Sequence, residues 1–468
     1  MQESPDRTKI ALKRVIGLPA AILLVTGIMI GSGVFKKIAP MSQALPSEPY
    51  ILGVWIVAGI ISIFGAFTYA GLASMTNETG GLYEYIRLIY GEFVAFLLGW
   101  TYFIIVGPGS IAALAYVFSQ SADSLFGFPE LVSALKNLSI GNFIFPFASL
   151  AVKLFAISTI IFLTWFNIRG VKNASSLNNI VTAAKILGIF ILIFAGVFYS
   201  GDAVKMLQPG TAPVYSITGI ALFSAFFGAL LSALWAYDGW ANITFVTGEM
   251  RNPERNMPFA IIGGVGISTL LYVLLNAVYM KVLPLHVLAA IPQQKIAAAV
   301  VAETLFGKAG ASIIVVLILT CTFGALHGCI ISYPRITFRM AQEKVFFRKV
   351  AFVHPVYKTP YVALIYSGFW ACILVISGTF DEITNLVVFA TYLFFGLAAA
   401  GLIWMKKKKV ITKKVIGYPV VPIIIILFSL VLVVNTFVTH FLASMLGVGL
   451  MLSGLPLYFY FKSRRAEA

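Results

Sequence analysis

Three stretches of this 468-residue chain hold residues that ordinary packing in an apolar run does not explain. Gly31-Ser32-Gly33 interrupt "TGIMIGSGVF", Lys185 stands in "NNIVTAAKILGIF", and Asp238 stands in "ALWAYDGWANITF". In hydrocarbon a central charge costs about 2.5–3.5 kcal/mol on insertion scales. Each interior glycine weakens a helix by roughly 1 kcal/mol relative to alanine, and freed backbone groups cost several kcal/mol each unless something satisfies them. A helix broken at Gly31-Ser32-Gly33 exposes amides on one half and carbonyls on the other. The amides of Ser32 and Gly33 form a positive dipole end suited to a carboxylate, and carbonyls near Met29 and Trp235 can accept from an ammonium. Glycine permits close approach because no Cβ stands in the way. A single α-amino acid offers both groups at the required separation. The candidate binding residues are therefore Met29, Gly31, Ser32, Gly33, Trp235, Ala236 and Asp238.

Each candidate has a plainer reading. Lys185 either snorkels to the interface, at the limit of its reach, or fills a cation position between helices, where three donors tie unwound carbonyls together. Asp238 either caps the second half of a broken helix by accepting from freed amides, or contacts substrate side chains, or couples protons. Trp235 and Trp240 are packing residues or gates, and Trp235 gains weight from standing one turn before the break. His327, in "FGALHGC", is a packed imidazole before it is a pH sensor.

The elements that must position these residues follow from composition. The chain is 60% hydrophobic and 11% charged, with mean hydropathy +0.95, where a soluble protein would carry about a quarter charged residues. Apolar runs long enough to cross roughly 30 Å of hydrocarbon recur along it. Twelve spans are expected, at 14–40, 51–75, 91–121, 147–167, 177–200, 216–247, 257–282, 310–342, 359–378, 384–404, 417–436 and 441–461. The first follows Arg7, Lys9, Lys13 and Arg14 without a small-residue cleavage site, which reads as a retained helix rather than a signal peptide. Most of the 33 Lys+Arg then fall on the side of the N-terminus, notably in "KKKKVITKK" and the tail "KSRR". By the positive-inside rule both termini are cytoplasmic. The +16 net charge is a topology signal and gives no indication of nucleic acid. Only Asp238 and Lys185 are expected to lie well inside the spans.

Cys321, Cys329 and Cys372 fall in spans with no spacing for a metal or disulfide. The four histidines form no HExxH, no G-x-S-x-G is present, and no filter loop or continuous polar pore lining suggests a channel. No enzyme, cofactor or metal is expected. The longest polar connections lie near 122–146 and 283–308. The two interrupted spans, first and sixth, stand five apart, the best sequence pointer to a transport site built from inverted repeats. The expected organisation is a cytoplasmic tail (1–13), a first repeat of helices 1–5 (14–200), a second of helices 6–10 (201–404), helices 11–12 with a basic cytoplasmic loop (405–461) and a second cytoplasmic tail (462–468).

Longer motifs carry a resemblance. "GIMIGSGVF", "ETGGLYEYIRLIYGEFVAFLLGW", "AAKILG", "LWAYDGWANITFVTGEMRNPERNMPFAI", "SYPRITFRMAQ" and "HPVYKTP" together resemble the L-amino-acid transporter family of the amino acid–polyamine–organocation superfamily, most nearly its bacterial serine/threonine exchangers. The resemblance spans essentially the full length. It implies an all-α membrane protein with a LeuT-like fold of five-plus-five inverted repeats, broken helices 1 and 6, and two extra C-terminal helices. It implies sodium-independent exchange of L-amino acids in a bacterial cell membrane. By position, Gly31, Ser32 and Gly33 match the carboxylate-binding backbone, Trp235 matches an aromatic gate that is often phenylalanine, and Lys185 matches a lysine that replaces a sodium ion and links helices 1 and 8. Ile28 and His327 depart from the family, standing where a small hydroxyl residue and an asparagine are common. The family's heavy-chain cysteine has no counterpart in 122–146, so no disulfide-linked heavy chain is expected. Small or medium neutral substrates are expected, with a proton-coupled symporter, or an exchanger taking cationic amino acids through Asp238, as alternatives.

Overall fold

The computed structural model describes residues 16–76, 81–135, 138, 145–169, 174–200, 217–241, 243, 250–377 and 380–466. The basic N-terminal residues Arg7 to Arg14, the "ETG" of the second motif and most of "NITFVTGE" lie outside the described residues. The described chain is helical. Its one isolated bridge pairs Ile16 with Met250, and the Arg251 N–H donates to the Ile16 carbonyl at 2.9 Å.

In chain order the helices used below are α1 (Leu18–Met29), α2 (Gly33–Lys36), α3 (Ile38–Ala44), α4 (Glu48–Ala73), α5 (Leu82–Tyr90), α6 (Glu92–Thr101), α7 (Gly107–Phe126), α8 (Leu150–Ile168), α9 (Ala174–Val197), α10 (Gly219–Tyr237), α11 (Pro253–Val282), α12 (Leu285–Ala289), α13 (Ala297–Ser332), α14 (Pro334–Gln342), α15 (Tyr361–Ser377), α16 (Phe380–Lys407), α17 (Val420–Thr439), α18 (Phe441–Leu452) and α19 (Leu455–Ala466). Among the described residues nine helical stretches are long and apolar enough to cross a membrane, and Leu18–Met29, Lys185–Val197 and Tyr361–Ser377 are shorter apolar helices. The three short ones fall where the first, fifth and ninth spans are expected. A π-helical turn, Tyr102–Val106, joins α6 to α7, so the third expected span is one continuous stretch from Glu92 to Phe126.

Apolar side chains face outward as well as inward. Ile161, Phe194, Leu270 and Leu427 are each more than half exposed, as a lipid-facing surface requires and a water-facing one would not tolerate. The interior is crowded by small residues: a Cβ added to Gly264 of α11 would lie 2.5 Å from the Val25 side chain of α1. Such close crossings let helices pack where lipid gives no hydrophobic drive.

Besides Lys185, the charged side chains of Lys36, Lys37, Lys153 and Glu84 are buried, because a helix end that tucks under its neighbours is shielded wherever it sits along the span. Lys153 Nζ donates to the carbonyls of Phe145 and Ile376. Glu84 accepts from Arg87 at 2.6 and 3.0 Å, and Tyr83 donates to Glu343 at 3.0 Å, which ties α5 to the end of α14. The Glu84 carboxylate holds the Arg87 guanidinium above its usual range.

Candidate functional site

Helix α1 stops where the sequence predicts. The Ile30 N–H still reaches the Thr26 carbonyl, but Ile30 adopts ψ 88°, and the chain bends through Gly31 and Ser32 before restarting at Gly33. Gly33 packs directly on the other interruption. A Cβ there would stand 2.5 Å from Ala236 Cβ and 2.6 Å from Ala236 Cα, so only glycine allows the two backbones to meet. Helix α10 ends at Tyr237; Asp238 is extended (ψ 153°) and Gly239 has φ 106°, a value that favours glycine. Ile28 fills the space beside it, 2.7 Å from where a Gly239 Cβ would stand. The second half of the sixth span lies largely outside the described residues.

The freed carbonyls are met by two side chains. Lys185 Nζ donates to the carbonyls of Gly27 (3.2 Å) and Ile30 (3.3 Å), at the C-terminal end of α1, where the helix dipole favours a cation. Lys185 is 3% exposed. Both carbonyls belong to the last turn of α1 or the residue just past it. The second side chain is Tyr272 of α11, absent from the sequence-based candidates. Its hydroxyl lies 2.8 Å from the Met29 carbonyl and 3.0 Å from the Ala236 carbonyl, one on each broken helix. A hydroxyl in mid-span, in "STLLYVLLNAVYM", was the available signal. The Trp235 carbonyl receives the Asp238 N–H at 3.2 Å, and the carbonyl of Ala236, the next residue, is the one that meets Tyr272 together with that of Met29.

Trp235 is buried, and its indole Nε1 donates to Ser32 Oγ at 3.3 Å, linking the sixth span to the break in the first. Its ring meets Phe380 edge-on at 6.3 Å. Phe380 in turn lies under both lysines that follow the break, with Lys36 and Lys37 Nζ each 4.7 Å from its centroid. Lys37 pairs with Asp381 at 2.6 Å and donates to Thr384 Oγ1 at 2.7 Å; Lys36 donates to Gln120 Oε1 at 2.5 Å. A roof of paired charge and aromatic rings therefore closes the side of the break away from the N-terminus.

Asp238 points elsewhere. Its carboxylate accepts from the Tyr333 hydroxyl at 3.4 Å, and it lines a cavity with Ser62, Thr391 and Tyr392. Trp240 packs edge-on to Tyr69 at 5.1 Å, as a packing residue would. His327 is near Phe166 (6.4 Å between rings), and its Nε2 is buried without a partner among the described residues.

The chain is 31% identical over 462 residues to the serine/threonine exchanger SteT of Bacillus subtilis (strain 168), covering 97% of this chain and 98% of that one. It is 30% identical to the b(0,+)-type amino acid transporter 1 of Mus musculus, covering 96% and 88%. It is 29% identical to the large neutral amino acids transporter small subunit 2 of Homo sapiens, covering 96% and 81%. Residues 16–457 match the family profile described as amino acid permease. With residues 16–457 matched and nine apolar helical stretches long enough to cross a membrane among the described residues, this multi-pass membrane protein belongs to the amino acid permease family.

Proposed function

We propose that the chain exchanges L-amino acids across the cell membrane by alternating access, without sodium, and that small or medium neutral side chains are preferred. The observation that carries this reading is the meeting of the two breaks: Gly33 against Ala236, with Lys185 holding two carbonyls of α1. A lysine at that position supplies a fixed positive charge to the helix end, so no sodium ion is needed there. The substrate carboxylate accepts from the amides of Ser32 and Gly33, and its ammonium donates to the carbonyls of Met29 and Ala236. Trp235, joined to Ser32, lies over the bound amino acid as a lid that excludes water.

The fold that goes with this reading has twelve spans in a LeuT-like five-plus-five arrangement, residues 14–200 and 201–404, with 405–461 adding two helices. Both termini are cytoplasmic, and the protein is of the bacterial type that acts without a disulfide-linked heavy chain. Nine candidate spans among the described residues, with three shorter apolar helices at the remaining positions, support it. So does the relative named a serine/threonine exchanger.

A second reading has an observation of its own. Among the described residues, no lysine or arginine forms an ion pair with Asp238, whose carboxylate lines a cavity; a cationic substrate side chain would complete it. A counterflow screen of twenty amino acids in sodium-free proteoliposomes separates the two. Faster flux of serine or alanine than of arginine supports the neutral reading, and arginine flux that Asp238→Asn removes selectively replaces it. Uptake that is equal in loaded and amino-acid-free vesicles refutes exchange.

A further inference from the structure

The Tyr272 hydroxyl stands between two carbonyls that belong to different broken helices, Met29 of α1 and Ala236 of α10. Both are helix-terminal carbonyls of the kind that lack an intrahelical partner, and both are buried with their residues. Lys185 is occupied with Gly27 and Ile30. The same pair of carbonyls is the seat of the substrate ammonium in the exchange reading, on which this inference rests. An ammonium brings three donors to that seat, whereas a hydroxyl brings one.

The ring that carries the hydroxyl is held independently of anything bound at the break. It meets Trp55 edge-on at 5.4 Å and Tyr237 at 5.1 Å, and Tyr237 itself donates to the Trp55 carbonyl at 2.9 Å. The donor is therefore in place whether or not an amino acid is present. We propose that Tyr272 is a positioning residue that lets the carrier close its two breaks without substrate, so that a slow net transport accompanies exchange and Tyr272 sets its rate. A buried carbonyl left without a donor opposes closure. With substrate bound the ammonium removes that penalty at both carbonyls, and without it the Tyr272 O–H, the donor to them among the described residues, reduces it by serving one carbonyl at a time. The hydroxyl accordingly lowers the barrier for the return of the substrate-free carrier more than the barrier for exchange.

The test uses the full chain in proteoliposomes and labelled L-serine, with uptake measured into amino-acid-free vesicles (net) and into serine-loaded vesicles (exchange). Wild type is expected to show saturable net uptake, slower than exchange. Tyr272→Phe keeps the ring contacts and removes the hydroxyl. The ratio of net to exchange rate should fall about tenfold, the equivalent of about 1.4 kcal/mol. Tyr279→Phe, which removes from the same helix a buried hydroxyl that has no hydrogen-bond partner among the described residues, should leave the ratio unchanged. An unchanged ratio in Tyr272→Phe, or an equal fall with Tyr279→Phe, overturns the role of Tyr272. If Tyr272→Phe does not fold, wild type alone still decides, because exchange without any saturable net uptake overturns the proposal. Wild-type serine uptake that loading does not stimulate overturns the exchange reading itself, and the inference with it.

Discussion

Gly31 and Gly33 look alike in the sequence, yet the structure predicts different consequences for adding a methyl group to each. A Cβ on Gly33 would lie 2.5, 2.6 and 3.1 Å from Ala236 Cβ, Cα and N. Ordinary carbon contacts begin near 3.5 Å, so the two half-helices would have to separate by about 1 Å. The atoms in the way are the Ala236 backbone and the Cβ fixed to it, and they cannot swing aside. Overpacking costs typically 1–3 kcal/mol, and a rigid obstacle places Gly33→Ala in the upper part of that range, about 2–3 kcal/mol. Borne by the closed arrangement alone, this slows exchange by roughly 30- to 150-fold. A Cβ on Gly31 would instead sit 3.7 Å from Leu114 Cδ2 and 3.8 Å from Ala325 Cβ, which is ordinary contact, and Gly31→Ala should lose at least tenfold less activity. The assay is labelled L-serine exchange in proteoliposomes at matched transporter content, with thermal unfolding of the purified variants to show that both fold. Wild-type exchange by Gly33→Ala, or equal damage from the two variants, would refute the reasoning.

Further outcomes follow from the same contacts. Lys185→Ala strips the donor from the Gly27 and Ile30 carbonyls, at about 1–3 kcal/mol for each acceptor left buried; exchange should fall at least about thirtyfold while the protein still inserts. Lys185→Arg should not restore it, because a planar fork differs from a compact ammonium, and near-wild-type exchange by either variant would contradict the role. Trp235→Ala removes the bond to Ser32 and the edge contact with Phe380. It should raise the KM for serine and admit bulkier side chains, and an unchanged KM would show that the indole is not a lid. Asp381→Asn leaves Lys37 buried without its carboxylate, a loss of order 3 kcal/mol for a pair broken from one side. A lowered Tm is expected, with recovery in the double variant Lys37→Met/Asp381→Leu; equal Tm values for wild type and Asp381→Asn would show that the pair contributes nothing.

Much of the architecture could be read from local features of the chain. Apolar run length and charge asymmetry marked a multi-pass membrane protein, and the low helix propensity of Gly-Ser-Gly and Asp-Gly located both interruptions to within a residue or two of where α1 and α10 end. Lys185 stood out because a charge in an apolar span needs compensation, and the helix-1 carbonyls it reaches are of the kind proposed. These inferences depend on hydropathy, backbone propensity and solvation cost, which neighbouring residues fix among themselves. The partners of the freed carbonyls are different in kind. Tyr272 is 243 positions from Met29, and nothing near either residue says that they meet. The direction of Asp238 was likewise undecided until Tyr333, 95 positions on, was seen to donate to it. Lys36 and Lys37 read as span-end charges because depth was judged along one helix, whereas their burial comes from Phe380, Asp381 and Gln120 on other helices. Where a helix breaks is set by the residues at the break. Which group satisfies the atoms it frees depends on how distant helices pack, and that only the tertiary structure decides.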